Sequence, residues 1–591
     1  YGAPRFYRAA RERGIRPLVG AKLTMEDGSR LPVLVESQEG YRKLCRLLSE
    51  AALRGSKEER PVYWADLEEL GGGLIALSGD ETGPLGRAWH SAGEAGVREM
   101  TTRLRRIFPQ DRLYLEIQRH HRRNEAIWHN VLLDLRAKEG LPLVATGGAV
   151  AARREDRLVA DVFAALRNHL SLDRAGRQLE SNGERRLRSP KEVQALFADL
   201  PECVDEAGRL ADRLDFTLEN LGYEFPTFPV PAGESMESFL RETVWRGARD
   251  RYGTIRPAVR RQIEHELALI SKLGFCGYFL LVWDLIQFCQ REDILVQGRG
   301  SAANSAVCYS LGITAVDPVG SGLLFERFLS EGREGWPDID LDLPSGSRRE
   351  RVIQEVYRKY GRRGAAMTAN VITYRGRSVV REVGKVLDLP DEFLGRFSRL
   401  HGRGSFEGED DFLGKAEEAG LRRSHPRAAT FARLFQQVKG LPRHIGQHPG
   451  GMVIAQRMLD AVVPLENAAM PGRSVIQWDK DDCEELGIVK VDLLGLGMMA
   501  AIQDSLSDAR RRGRPVDLAH LPKDDPATFD LLCEADTIGV FQVESRAQMA
   551  TLPRMLPRKF YDLVIEVAII RPGPIVGELT NPYLERRAGR Q

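Results

Sequence analysis

Trp336-Pro-Asp-Ile-Asp-Leu-Asp-Leu-Pro344 alternates acidic with apolar residues over the length of a strand. In an extended chain successive side chains point to opposite faces. Asp338, Asp340 and Asp342 therefore share one face, and Ile339, Leu341 and Leu343 share the other. Asp disfavours strands and like charges on one face repel, so this face calls for cations. The plainer alternative is an amphipathic strand with its acids in water. Mg²⁺ takes oxygen ligands in near-octahedral geometry. Two carboxylates from one strand with a third from a neighbour can hold two such ions about 4 Å apart, to activate a hydroxyl and stabilise a leaving pyrophosphate. The third acid is Asp492, in Gly487-Ile-Val-Lys-Val-Asp-Leu-Leu-Gly495. Lys490 lies two residues before it and shares its strand face.

Upstream, Ile294-Leu-Val-Gln297 reads as a strand and Ala302-Ala-Asn-Ser-Ala-Val-Cys-Tyr-Ser-Leu311 as a helix. Between them stands Gly298-Arg-Gly-Ser301. Glycines between strand and helix let the backbone approach phosphates, and a helix N-terminus offers free N–H groups. Taken alone the motif is equally an ordinary tight turn. Arg327, in Leu323-Leu-Phe-Glu-Arg-Phe328, has the bidentate geometry for a triphosphate, with a surface ion pair as the alternative for it and for Lys490.

The chain has 591 residues, enough for roughly four domains of about 150 residues each. Apolar residues make up 42% and charged residues 29%, the balance of a globular protein. The net charge is only +2, so any nucleic-acid surface must be local. Basic clusters occur at Arg185-Arg-Leu-Arg188, Arg348-Arg349 and Arg510-Arg-Arg-Gly-Arg514, where solvated helix faces are the alternative. Seven scattered cysteines without a C-x-x-C pair argue for a reducing cytoplasmic setting and against a disulfide framework or zinc site. No stretch approaches the roughly 18 apolar residues that span a membrane. A start at Tyr1, inside a helical pattern, reads as a piece of a longer protein.

Residues 1–200 read as α/β units. A helix is expected over 5–14, then strands at Pro17-Leu-Val-Gly20, Leu113-Tyr-Leu-Glu-Ile117 and Leu141-Pro-Leu-Val-Ala145, with a helix over 124–138 that implies parallel pairing. Pro226-Thr-Phe-Pro-Val-Pro231 is a linker. A long helical region fills about 233–291. Residues 375–440 are helical and polar, and 450–500 return to short apolar strands.

These motifs, in this order, resemble the bacterial DNA polymerase III alpha subunits, the C-family DNA polymerases. The residues that carry the resemblance are Gly298-Arg-Gly-Ser301 with its Ala-Ala-Asn-Ser continuation, Leu323–Phe328, Pro337-Asp-Ile-Asp340 and Val489-Lys-Val-Asp-Leu-Leu-Gly-Leu496. Thr537-Ile-Gly-Val-Phe-Gln-Val-Glu-Ser-Arg546 and Arg571-Pro-Gly-Pro574 are similar to the family's fingers. The resemblance implies an α/β multidomain chain: a polymerase-and-histidinol-phosphatase-like (PHP-like) α/β barrel over 1–225, a beta-type nucleotidyltransferase palm over 226–375 and 447–500, a helical thumb over 376–446, and fingers, expected to be incomplete, over 501–591. It implies catalytic, Mg²⁺-binding aspartates at Asp338, Asp340 and Asp492, with Asp342 outside the set. It implies nucleotide binding at Arg299, Gly300, Ser301, Arg327 and Lys490. Primer-template DNA and dNTPs are the implied substrates, with a sliding clamp and other accessory proteins as partners of the longer protein and no membrane.

Trp336–Gly346 and His444-Ile-Gly-Gln-His-Pro-Gly-Gly451, with Pro449 where the main replicase has alanine, favour the error-prone translesion branch. The main replicase, and a template-independent nucleotidyltransferase, remain the alternatives. In family members with a metal site in the N-terminal domain, a segment like Ala145-Thr-Gly-Gly-Ala-Val-Ala151 supplies an Asp and a His. Gly147, Gly148 and Ala149 offer neither, and His120-His121 lack partners. No metal phosphoesterase activity is expected there. A non-catalytic scaffold would have no use for the clustered aspartates.

Overall fold

The computed structural model describes residues 1–56, 59–330, 336–401, 408–521, 525–570 and 580–590. Arg571-Pro-Gly-Pro574 lies outside them. The chain divides into two compact units, one of residues 1–227, 334–336 and 353–492, the other of 228–333, 337–352 and 493–591.

The first unit opens with a five-stranded sheet of β1 (Gly20–Thr24), β2 (Arg30–Val35), β3 (Leu74–Leu77), β4 (Leu113–Gln118) and β5 (Leu143–Thr146), in that order. The first three strands pair antiparallel, and β3-β4-β5 are parallel. Helix Glu125–Glu139 connects β4 to β5, the strand-helix-strand unit that the sequence implies. The first strand begins at Gly20 rather than at Pro17, because proline has no N–H to give the ladder.

The later strands are β6 (Gln297–Arg299) and β7 (Asp340–Pro344) in the second unit, then β8 (Ala365–Thr373), β9 (Pro442–Ile454), β10 (Leu465–Asn467), β11 (Ser474–Asp479) and β12 (Lys490–Leu496). Within the first unit the order is β10-β11-β8-β9-β12. Only β11–β8 is parallel among these pairs. Strand β12 crosses from the first unit into the second after Asp492.

Two of the apolar cores of the first unit are large. Helix Gln38–Arg54 buries Tyr41, Leu44, Leu47 and Ala51 in one cluster with Val33 and Leu115 of the N-terminal sheet and with Val453, Leu465, Ile476 and Trp478. Tyr41 Oη donates to the Val462 carbonyl at 3.0 Å, and Ser49 Oγ accepts from Leu465 N at 2.9 Å. The helix thus belongs to the N-terminal sheet and to strands β9–β11 at once. The second core joins Val162 and Ala165, from helix Arg157–Arg167, to Val379, Phe397, Phe412 and Phe431 of the helices Gly376–Val386, Asp391–His401, Glu409–Glu418 and Ala428–Val438.

In the second unit the long helical region is three helices, Met236–Tyr252, Pro257–Lys272 and Cys276–Arg291. They are separated at Gly253 and Gly274, whose φ angles of 61° and 74° glycine tolerates best. Among the described residues no single helix is long and apolar enough to cross a membrane. All seven cysteines are free.

Two local expectations are corrected. The strand upstream of the glycine motif is three residues, starting at Gln297. Ile294 N is bonded to the Cys289 carbonyl at the preceding helix end, and Leu295 N to Gln503 Oε1. Residues 302–311 are not one helix. A 3₁₀ turn, Gly300–Asn304, precedes a helix of only five residues, Ala306–Ser310, because Ser305 is extended at φ −103°, ψ 123°.

Candidate active site

In the second unit β6 and β7 pair antiparallel, with Arg299 opposite Asp340 and Gln297 opposite Asp342. The alternation expected from the sequence is present: Ile339, Leu341 and Leu343 are fully buried, while Asp338 is exposed and Asp340 half-buried. Ile339 N donates to Tyr278 Oη at 3.1 Å, which anchors the backbone between the two acids. The Arg299 guanidinium turns toward β7, with Nη2 3.6 Å from Asp340 Oδ2 and Nε 3.5 Å from Asp342 Oδ1. Asp342 shares the acidic face but is 7% exposed. Burial pushes its carboxyl above the usual range, and Arg299 pulls it back. The acid that the resemblance leaves outside the catalytic set is thus the buried partner of Arg299.

The glycine loop is corrected in its chemistry as well. The sequence implies free N–H groups at the start of the following helix. They are taken: Glu266 Oε1 accepts from Ala306 N at 2.9 Å, and Oε2 accepts from Val307 N at 2.9 Å and from Ser305 Oγ at 2.7 Å. Ser305 Oγ in turn accepts from Cys308 N at 3.0 Å. What stays open is the turn. Gly300 has φ 70°, and a Cβ built on it would meet nothing within 4 Å. The 3₁₀ turn Phe325–Arg327 touches the Gly300–Asn304 turn. The Arg327 side chain is exposed, with no ion pair among the described residues. Glu266 was missed from the sequence. Its signal is a carboxylate on the Val259–Ile263–Leu267–Ile270 face of Pro257–Lys272, where periodicity asks for an apolar residue.

In the first unit Lys490 Nζ donates to Asp492 Oδ2 at 2.7 Å along β12, as the two-residue spacing implies. Asp492 is 7% exposed, and among the described residues its Oδ1 accepts no hydrogen bond. His448 Nδ1 stands 3.6 Å from that oxygen. The same Nδ1 accepts from Gly451 N at 2.6 Å and from Gly450 N at 3.3 Å, so it presents a lone pair and not a proton. Gly451 is the β9 residue paired with Asp492. Asp338 and Asp340 stand in the second unit and Asp492 in the first, and each can offer a metal ion a carboxylate oxygen. An all-carboxylate donor set suits a hard divalent cation.

In the N-terminal domain His120 is buried, and its Nε2 donates to the Gly147 carbonyl at 2.9 Å. Its backbone N–H, and that of His121, are held by Glu125. Lys22 Nζ stands 3.7 Å from Asp80 Oδ2.

Three family models match in series. The model of the PHP domain matches residues 1–120, that of the bacterial DNA polymerase III alpha NTPase domain 238–495, and that of the bacterial DNA polymerase III alpha subunit finger domain 496–591. The chain belongs to the bacterial DNA polymerase III alpha family. Among curated relatives it is similar to the error-prone DNA polymerase of Mycobacterium tuberculosis (strain ATCC 25618 / H37Rv), with 45% identity over 100% of this chain and 54% of the relative. It is 44% identical to the error-prone DNA polymerase of Pseudomonas aeruginosa, over 100% of this chain and 56% of the relative. With the error-prone DNA polymerase of Bordetella bronchiseptica the identity is 42%, again over 100% and 56%. The chain spans about half the length of these relatives.

Proposed function

We propose that this chain performs template-dependent DNA synthesis of the error-prone, translesion kind, in the repair of DNA damage. The observation that carries the reading is full-chain identity of 42–45% to proteins named error-prone DNA polymerase. Asp338, Asp340 and Asp492 would hold two Mg²⁺ ions. Bound there, the ions would supply activation of the primer 3′-hydroxyl and neutralisation of the pyrophosphate. The remaining work belongs to the chain. Lys490 holds Oδ2 of Asp492, so Oδ1 would be the oxygen offered to an ion. Gly300 and Ser301 would receive the triphosphate by backbone approach, and Arg299 and Arg327 would supply charge. Positioning and preorganised electrostatics account for most of the rate in such transfers. Duplex DNA would lie along the helical residues of about 375–445, held through its phosphates without sequence readout.

The N-terminal domain would carry no metal phosphoesterase activity, since His120 is committed to Gly147. A cytoplasmic location fits seven free cysteines. A sliding clamp and other accessory proteins are the partners proposed for the full-length protein. Extension of a labelled primer, with and without template and across a template lesion, tests the reading. Template-directed addition that passes the lesion is expected. Addition without template would favour a template-independent nucleotidyltransferase, and arrest at the lesion the main replicase.

A further inference from the structure

We propose that Glu266 is a built-in anion that fixes the nucleotide loop, so that an incoming triphosphate is received by the Gly300–Ser301 turn and not by the helix behind it. The inference rests on the reading that this chain binds dNTP. Glu266 is fully buried. Its carboxylate accepts from Gln262 Nε2 at 2.9 Å, Ser305 Oγ at 2.7 Å, Ala306 N at 2.9 Å and Val307 N at 2.9 Å. No lysine or arginine pairs with it among the described residues. A buried carboxylate without a cation is costly unless donors satisfy both oxygens, and these four do so. A phosphate bound at a helix start accepts the same kind of N–H groups. Here the anion comes from another helix, Pro257–Lys272, and the place is closed to ligand.

The consequence falls on the loop before it. The Gly300–Asn304 turn is pinned at its far end through Ser305. At its near end Gly298 N donates to the Ile313 carbonyl at 2.5 Å, and a Cβ on Gly298 would stand 2.8 Å from the Ile313 side chain. Between the two pins Gly300 faces open space at φ 70°. The turn is therefore preorganised, and ordering it costs the nucleotide little. Glu266 is a positioning residue, acting through Ser305 and the backbone.

The test is Glu266→Gln, whose amide cannot accept at both oxygens. The KM for dNTP should rise about tenfold with kcat little changed, the effect of losing charge-assisted hydrogen bonds that hold the loop. Independently of activity, amide hydrogen exchange should quicken at 300–307 and nowhere else. Glu266→Ala, which removes the acceptor altogether, should quicken exchange at Ala306 and Val307 further than Glu266→Gln does. Ser305→Ala removes one donor and serves in place of either variant that does not fold. An unchanged KM with unchanged local exchange overturns the proposal. Wild-type protein that incorporates no nucleotide overturns the polymerase reading instead, while the exchange measurement still decides the role of Glu266.

Discussion

A Cβ placed on Gly451 would stand 3.1 Å from Oδ1 of Asp492. It would also stand 2.9 Å from His448 Nδ1 and 3.0 Å from Thr368 Oγ1. The β9 backbone therefore comes close to Asp492 only because residue 451 has no side chain. Gly451→Ala should push the carboxylate aside. A displacement of about 1 Å at a reacting centre can cost about 100-fold in rate, while overpacking costs about 1–3 kcal/mol of stability. Single-nucleotide incorporation and thermal unfolding on the same sample check this. Wild-type kinetics would remove Asp492 from the proposed chemistry.

Asp340→Ala and Asp492→Ala should each abolish primer extension while the protein stays folded. Asp340 is half-exposed, so its loss leaves no cavity. Asp492→Ala takes from Lys490 its 2.7 Å contact, and the ammonium keeps access to water at 18% side-chain exposure. Circular dichroism and extension assays in parallel separate loss of function from loss of fold.

Arg299→Ala removes the cation that faces both Asp340 and Asp342. If Arg299 also contacts the triphosphate, KM for dNTP should rise about tenfold or more, since charged hydrogen bonds are worth about 1.5–3 kcal/mol. Arg299→Lys should restore little, because a single ammonium cannot address two carboxylates in the guanidinium geometry. Steady-state kinetics of the three proteins decide between this and a purely structural role.

Asp482 gives a pH prediction in the first unit. It is 3% exposed, and burial, with the charge of Asp479 adding to it, pushes its carboxyl up to about 6. An unfolded aspartate titrates near about 3.9. Between those values the folded protein binds more protons than the unfolded chain, so stability falls as pH rises through the window. Asp482→Asn should flatten that fall. The variant should gain on the wild type at pH 7.5 relative to pH 4.5, measured by denaturant unfolding at both. Parallel curves would show that the acid is already relieved, by Arg5 or by water.

Helix Gln38–Arg54 makes the N-terminal domain part of the core beneath β9–β11. Leu47 is fully buried, and Leu47→Ala should cost about 2–5 kcal/mol. Ser49→Ala leaves Leu465 N without its acceptor, at about 1–3 kcal/mol. Extension activity should fall at the same temperature at which the protein unfolds. Activity that outlives unfolding of the N-terminal sheet would show the two to be independent.

The sequence by itself determined the local patterns that depend only on spacing. Alternation placed Asp340 and Asp342 on one face of β7, and the two-residue offset placed Lys490 against Asp492. Strand, helix and strand at 113–145 fixed the parallel pair β4–β5. Such features follow from the period of the backbone and need no distant partner. Tertiary structure decided the rest. That Gly451 lies opposite Asp492, that Arg299 faces Asp342, and that helix Gln38–Arg54 supports two sheets are pairings between distant segments, invisible to any local window. The glycine motif shows the difference within one loop. Its sequence announced an open helix start, whereas the open place is the turn at Gly300, where φ is 70° and a Cβ would meet nothing within 4 Å. Glu266, 40 residues before Ala306, fills that start. A buried carboxylate and unsatisfied backbone N–H groups each carry a desolvation cost, and the fold meets both by bringing them together.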